Sequence, residues 1–228
     1  MTSSTLETTG LLPQAFRELE GHNVLFVHAH PDDEAVATAS AMIALGAAGI
    51  EVYGATATDG EASTRGEEIA ANRGRLLELQ NAYQEIGVPR VNQFYFGLPD
   101  GRLHTPGKAT RMLALLDRII ESYHITALFS PGADGFDGHP DHIAVDRAVV
   151  TSGKHHAMPV WRLNASGKGE AVVPVNPVHK RRAVARHISQ LTIVEDPAHA
   201  HGFHVPELVH PAYNGLLYEQ ETYDRLVY

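Results

Sequence analysis

Two short blocks of the sequence, His30-Pro31-Asp32-Asp33-Glu34 and His139-Pro140-Asp141-His142, hold three imidazoles and four carboxylates, more than a hundred residues apart. That is more metal-binding chemistry than a structural core needs. A zinc hydrolase requires three protein ligands, one open coordination position and a carboxylate able to take a proton from water. His30 and Asp33 are three residues apart and can converge on one ion at the start of a helix. With His142 they make a set of two imidazoles and one carboxylate, which zinc accepts and ferrous iron tolerates. Asp32, His139 and Asp141 are then left for catalysis. Taken alone, the first block could be a helix cap and the second a solvated loop; each makes the other less incidental.

Composition narrows the chemistry further. With 228 residues the chain makes one ordinary domain spanning 1–228, read here as a core over about 22–155 and an irregular, substrate-side extension over about 156–228. Eighteen Lys and Arg stand against 27 Asp and Glu, a formal charge of −9 without a basic stripe, so no nucleic-acid partner is expected. The absence of cysteine excludes disulfides, thiolate metal ligands and a Cys nucleophile. Met1 to Gly21 shows no secretory signal pattern, and the uncharged stretch Ala35–Ile50 is short for a membrane span. A cytoplasmic protein with no membrane span is the expectation.

The elements that must position the two blocks follow from local pattern. Val24-Leu25-Phe26-Val27 reads as a buried strand running into the first block, and Glu34 to Ala48, rich in Ala, Met and Leu, as a helix stopped by Gly49. A second strand is expected at Glu51–Thr58, a loop at Asp59–Gly66, and a helix over Glu67–Ile86 with apolar residues at helical spacing. A third strand near Val91–Phe96, a helix over Lys108–Tyr123, a fourth strand at Ile125–Ser130 and a helix from about Asp141 continue the alternation. This order predicts an α/β fold: a Rossmann-like, mostly parallel, twisted sheet flanked by helices, with an irregular C-terminal extension. Both blocks then fall at the carboxyl edge of the sheet, where such folds bind ligands. Beyond Pro159 the pattern predicts β-like pieces at Val160–Leu163 and Ala171–Val175, a helix near Val178–Leu191, and a His-, Pro- and Tyr-rich tail without period.

The chain resembles the LmbE-like (PIG-L) family of zinc-dependent N-acetylglucosaminyl deacetylases and amidases. The resemblance rests on the two blocks, on Asp59-Gly60-Glu61 and Leu98-Pro99-Asp100-Gly101, and more softly on Lys180 with His187-Ile188-Ser189-Gln190. It implies a hydrolase that removes an N-acyl group, most simply acetyl, from an amino sugar or its glycoside. His30, Asp33 and His142 would be the metal ligands, for Zn2+ or Fe2+, and Asp32 the general base on the attacking water. Glu34 would support the helix start. A cationic His139, oriented by Asp141, would stabilise the oxyanion, and Arg75 and Asp100 would hold sugar hydroxyls, with Arg73 fitting almost as well as Arg75. The resemblance also suggests self-association.

Other readings stay open. The bond cut could belong to a sugar-linked thiol conjugate or another small N-acyl compound, or the site could serve a binding module without turnover. His28 reads as a packed strand-end residue, and His155-His156 and His199, His201 and His204 as incidental histidines rather than ligands.

Overall fold

The computed structural model describes residues 12–63, 74–175, 177–193, 203–204 and 220–228. Strands β1 (Asn23–His28), β2 (Glu51–Thr58), β3 (Gln93–Leu98), β4 (Ala127–Ser130) and β5 (Val160–Leu163) run parallel in the order β3-β2-β1-β4-β5. Helices α1 (Ala39–Ala47), α2 (Gly74–Ile86), α3 (Lys108–Tyr123), α4 (Pro140–His155) and α5 (Pro177–Val184) flank them. The Rossmann-like, mostly parallel sheet expected from the alternation is therefore present.

Successive strand residues feed opposite cores. Val24 and Phe26 of β1 pack with Phe16, Phe129, Trp161 and Tyr83, while Leu25 and Val27 pack with Leu116, Val145 and Leu128 on the other face. A strand buried on both faces needs a continuous apolar run, and that is what β1 has. Helix α3 buries Met112, Leu116, Ile119 and Ile120, one helical stripe, and occupies the residues expected from it.

The structure departs from these expectations at three places. The helix after the first block opens with a wide π-helical turn at Glu34–Thr38 before α1 begins. α5 stops at Val184, and a short 3-10 turn covers Ile188–Gln190. There His187 binds Glu34 at 2.6 Å and Ser189 binds Glu78 through both its amide and its hydroxyl, contacts that a continuous helix would not offer. The tail, expected to be irregular, supplies β9 (Gln220–Leu226), which lies antiparallel between β5 and β6 (Ala171–Pro174). Short strands β7 (Thr192–Ile193) and β8 (Phe203–His204) pair separately.

β9 is held by charge as well as by its ladder. Buried Glu221 accepts from Lys180 Nζ at 2.6 Å and from the amides of Ser40 and Ala41 at 2.8 Å, at the start of α1. A carboxylate there satisfies amides that have no partner within the helix. Residues 64–73, and with them the expected start of the second helix and Arg73, lie outside the described residues, as do His199 and His201. Among the described residues no helix is long and apolar enough to cross a membrane.

Candidate metal centre

Strand order reverses direction at β1, whose neighbours are β2 on one side and β4 on the other. The first block leaves the carboxyl end of β1 and the second follows β4, so both meet at the crevice where such sheets bind ligands. There His30 Nδ1 lies 3.1 Å from His142 Nε2, Asp33 Oδ1 lies 3.2 Å from His142 Nε2, and Asp33 Oδ2 lies 3.7 Å from His30 Nδ1. Neighbouring ligands on a tetrahedral zinc are separated by roughly 3.3 Å, given bonds of about 2.1 Å.

The outer contacts decide which ring nitrogens carry protons. His142 Nδ1 faces Asp137 Oδ1 at 2.8 Å and the Gly135 carbonyl at 3.1 Å, so it is the N–H and Nε2 is the lone pair. His30 Nε2 faces Asp100 Oδ1 at 3.2 Å and Asp141 Oδ2 at 3.6 Å, which puts its proton on Nε2 and leaves Nδ1 bare. With each ring singly protonated, as a metal ligand must be, the bare His30 Nδ1 and the Asp33 Oδ1 oxygen both face the bare His142 Nε2 inside the protein. That arrangement is unfavourable unless a cation lies among them, and the donor set fits a zinc-type ion. The described residues also include the groupings His30–His139–His142 and His30–Asp100–Asp141 as candidate metal-holding clusters.

The surrounding carboxylates also favour protons on both rings. Burial disfavours charge on His30, yet Asp100 and Asp141 raise its pKa to about 9, and Asp33 and Asp137 likewise hold His142 well above the ordinary histidine range. Burial also works against the Asp33 carboxylate, but the His142 and His30 charges and the His30 amide keep it far below the usual carboxylate range. Its Oδ2 accepts from the amides of Ala29 and His30 at 3.0 and 2.9 Å, which leaves Oδ1 to face His142.

Asp32 sits beside these residues in a backbone conformation few side chains adopt, with φ at +123°. Three contacts hold it there. Its amide donates to Glu34 Oε2 at 3.0 Å, its Oδ2 accepts from Arg75 Nη2 at 3.1 Å, and the same guanidinium binds the Pro31 carbonyl. Burial raises the Asp32 pKa to about 6, against the opposing pull of Arg75. Glu34, itself buried, is fixed from the far side by His187.

Arg75 is only 3 % exposed, and it also donates to the Gly60 carbonyl at 3.2 Å. Gly60, at φ +69°, lets the guanidinium approach so closely that an added Cβ would lie 2.5 Å from Nη1. The sequence reading gave Arg75 to sugar hydroxyls; the structure turns it inward onto Asp32. Asp100, expected in the same role, places Oδ1 on His30 and accepts from the Ala62 amide through Oδ2 at 3.1 Å.

The second block also differs from its expected wiring. His139 caps α4: its Nδ1 accepts the Asp141 amide at 3.2 Å, leaving Nε2 to carry a hydrogen. The Asp141 carboxylate does not orient His139. It accepts from the Leu103 amide at 2.9 Å and faces His30, because as the second residue of α4 it points toward the loop after β3. Nor is His139 favoured as a cation, since burial and the nearby His30 and His142 lower its pKa. Its ring meets His30 edge-on, with centroids 4.8 Å apart. His28 packs between Thr38 and Tyr83, as expected of a strand-end residue.

Asp137, which also accepts the His139 amide at 2.8 Å, escaped sequence reasoning. A carboxylate five residues before a candidate ligand histidine was the signal available for it.

Comparisons with known proteins identify relatives of this chain. The chain is 28% identical over 186 residues to 1D-myo-inositol 2-acetamido-2-deoxy-alpha-D-glucopyranoside deacetylase 1 of Catenulispora acidiphila, covering 70% of this chain and 56% of that protein. It is 34% identical over 174 residues to the corresponding deacetylase of Nakamurella multipartita, covering 62% and 58%. The chain thus spans a little over half the length of these curated relatives. Among solved structures, the N,N'-diacetylchitobiose deacetylase of Pyrococcus horikoshii shares the fold, with a TM-score of 0.73 at 18% identity over 96% of this chain and 88% of that one. The family model described as PIG-L, GlcNAc-PI de-N-acetylase, matches residues 25–152, more than half of the sequence, and the chain belongs to that family.

Proposed function

We propose that this protein is a zinc-dependent N-deacetylase that removes an acetyl group from the nitrogen of an amino sugar held in a larger glycoside or conjugate. The observation that carries this reading is the approach of His30 Nδ1 and Asp33 Oδ1 to His142 Nε2 beside a strained, arginine-held Asp32. The relatives' names supply the substrate class: an acetamido sugar linked to inositol in two of them and a diacetylated chitobiose in the third.

His30, Asp33 and His142 would hold the ion, with Fe2+ as the other metal this ligand set accepts. When bound, the metal supplies a Lewis acid and lowers the pKa of water to about 7. Asp32 takes the proton from the attacking water on its carboxylate, and its raised pKa of about 6 places it close to the pH at which a base is most effective. Arg75, itself anchored on the Pro31 carbonyl, keeps that carboxylate from turning away.

His139, neutral and carrying its hydrogen on Nε2, donates to the amide oxygen as negative charge develops there. The proton held by Asp32 then returns to the departing nitrogen, and acetate and a free amine remain. Asp141 and Asp100 act through His30, raising its basicity as a ligand. Measuring free amine released from N-acetylglucosaminyl-inositol, diacetylchitobiose and simple N-acyl compounds tests the reading; amine from the sugar conjugates is the expected result.

A further inference from the structure

The far end of α4 carries a second group of ligand-type side chains that the proposed reaction does not use. His155 and His156 close the helix with ring centroids 4.8 Å apart, and Asp117 of α3 faces them both. Asp117 Oδ1 lies 3.0 Å from His156 Nε2, and Oδ2 lies 3.5 Å from His155 Nδ1. These separations bracket the roughly 3.3 Å expected between neighbouring ligands on a tetrahedral zinc.

The surroundings favour a cation there. Buried Ser152 donates its hydroxyl to Asp117 Oδ1 at 2.7 Å, which orients the carboxylate. The C-terminal end of a helix carries partial negative charge. Lys154, the nearest ammonium in sequence, stands over the Tyr228 ring at 5.3 Å. The chain turn behind the histidines is fixed by the Met158 amide bound to the Gly153 carbonyl at 3.0 Å. Thirteen residues of helix separate His155 from His142, or about 20 Å, so the group is distinct from the catalytic cluster. Side-chain exposures of 70 % for His155, 18 % for His156 and 27 % for Asp117 leave it open to solvent.

We propose that Asp117, His155 and His156 form a second divalent-cation site that ties α3 to α4 and prefers imidazole-seeking ions such as zinc over magnesium or calcium. The test is calorimetric titration of zinc into the untagged, metal-stripped chain. Two equivalents are expected in the wild type and one in His155→Ala/His156→Ala. His142→Ala, which lacks a ligand of the first site, should keep the second equivalent, and adding the double substitution to it should remove that equivalent. Because His155 is exposed, His155→Ala serves as the mildest variant and should weaken the second equivalent at least tenfold. A single equivalent in the wild type, or a second one unmoved by the His155 and His156 substitutions, would overturn the proposal.

Discussion

His30 Nδ1 and His142 Nε2 face each other at 3.1 Å, each ring held from behind by carboxylates at its other nitrogen. Metal binding at this pair should depend on both rings and on what orients them. His142→Ala should lose the metal outright. Asp137→Asn, which keeps the shape but removes the charge facing His142 Nδ1, should weaken metal binding about 10–100-fold. Elemental analysis after dialysis against graded chelator checks both.

Asp32→Asn should leave metal content unchanged, because Asp32 is not among the three residues proposed to hold the ion. Loss of a positioned base costs about 10²–10⁴ in rate. Steady-state kinetics on the metal-loaded variant should show that loss in kcat with KM little changed.

The contact between Arg75 and Asp32 separates two roles for the arginine. If Arg75 gripped sugar, its loss would raise KM. Since it is buried against Asp32 and Pro31, Arg75→Met should lower kcat and leave KM nearly unchanged, and Arg75→Lys should restore only part of the rate because an ammonium cannot bind the carboxylate and two carbonyls as a planar fork does.

Glu221 should matter for stability far from its place near the C-terminal end of the sequence. Glu221→Ala leaves the Lys180 ammonium buried without this partner carboxylate and removes the acceptor for two amides at the start of α1. Breaking a buried pair in this way costs about 3–5 kcal/mol. Urea denaturation should register it.

Stability should also fall with rising pH through His187. Burial alone would lower its pKa, but Glu34 at 2.6 Å raises it above the ordinary value of 6.5. The folded state therefore binds this proton more tightly than the unfolded chain does. The resulting stabilisation is complete below pH 6.5 and is lost as pH climbs through the folded pKa. Denaturation at a series of pH values should show this decline in the wild type and a weaker one in His187→Gln.

Much of this was legible in the sequence because it depended on local pattern. The apolar run of β1, the helical stripe of α3 and the spacing of the two blocks each carry their own signal, and together they place His30, Asp33 and His142 at one edge of the sheet. β9 was not legible, because its buried positions are Glu221, Thr222 and Tyr223 in succession, with no apolar alternation to mark a strand. The polar residues are tolerated because Lys180 and the α1 amides satisfy Glu221. The inward turn of Arg75 and the pairing of Asp117 with His155 and His156 are tertiary facts, set by which helices pack together. The Asp141 carboxylate misled for a similar reason: proximity in sequence suggested His139, while the helix geometry directs it to Leu103 and His30.

The most direct test of the central claim is simultaneous measurement of acetate and free amine when zinc-loaded protein meets the panel of N-acetylated amino-sugar conjugates. The account predicts equal amounts of both products from at least one conjugate, abolished by chelation and slowed about 10²–10⁴-fold by Asp32→Asn. No release from any conjugate by protein verified to contain its metal would contradict it.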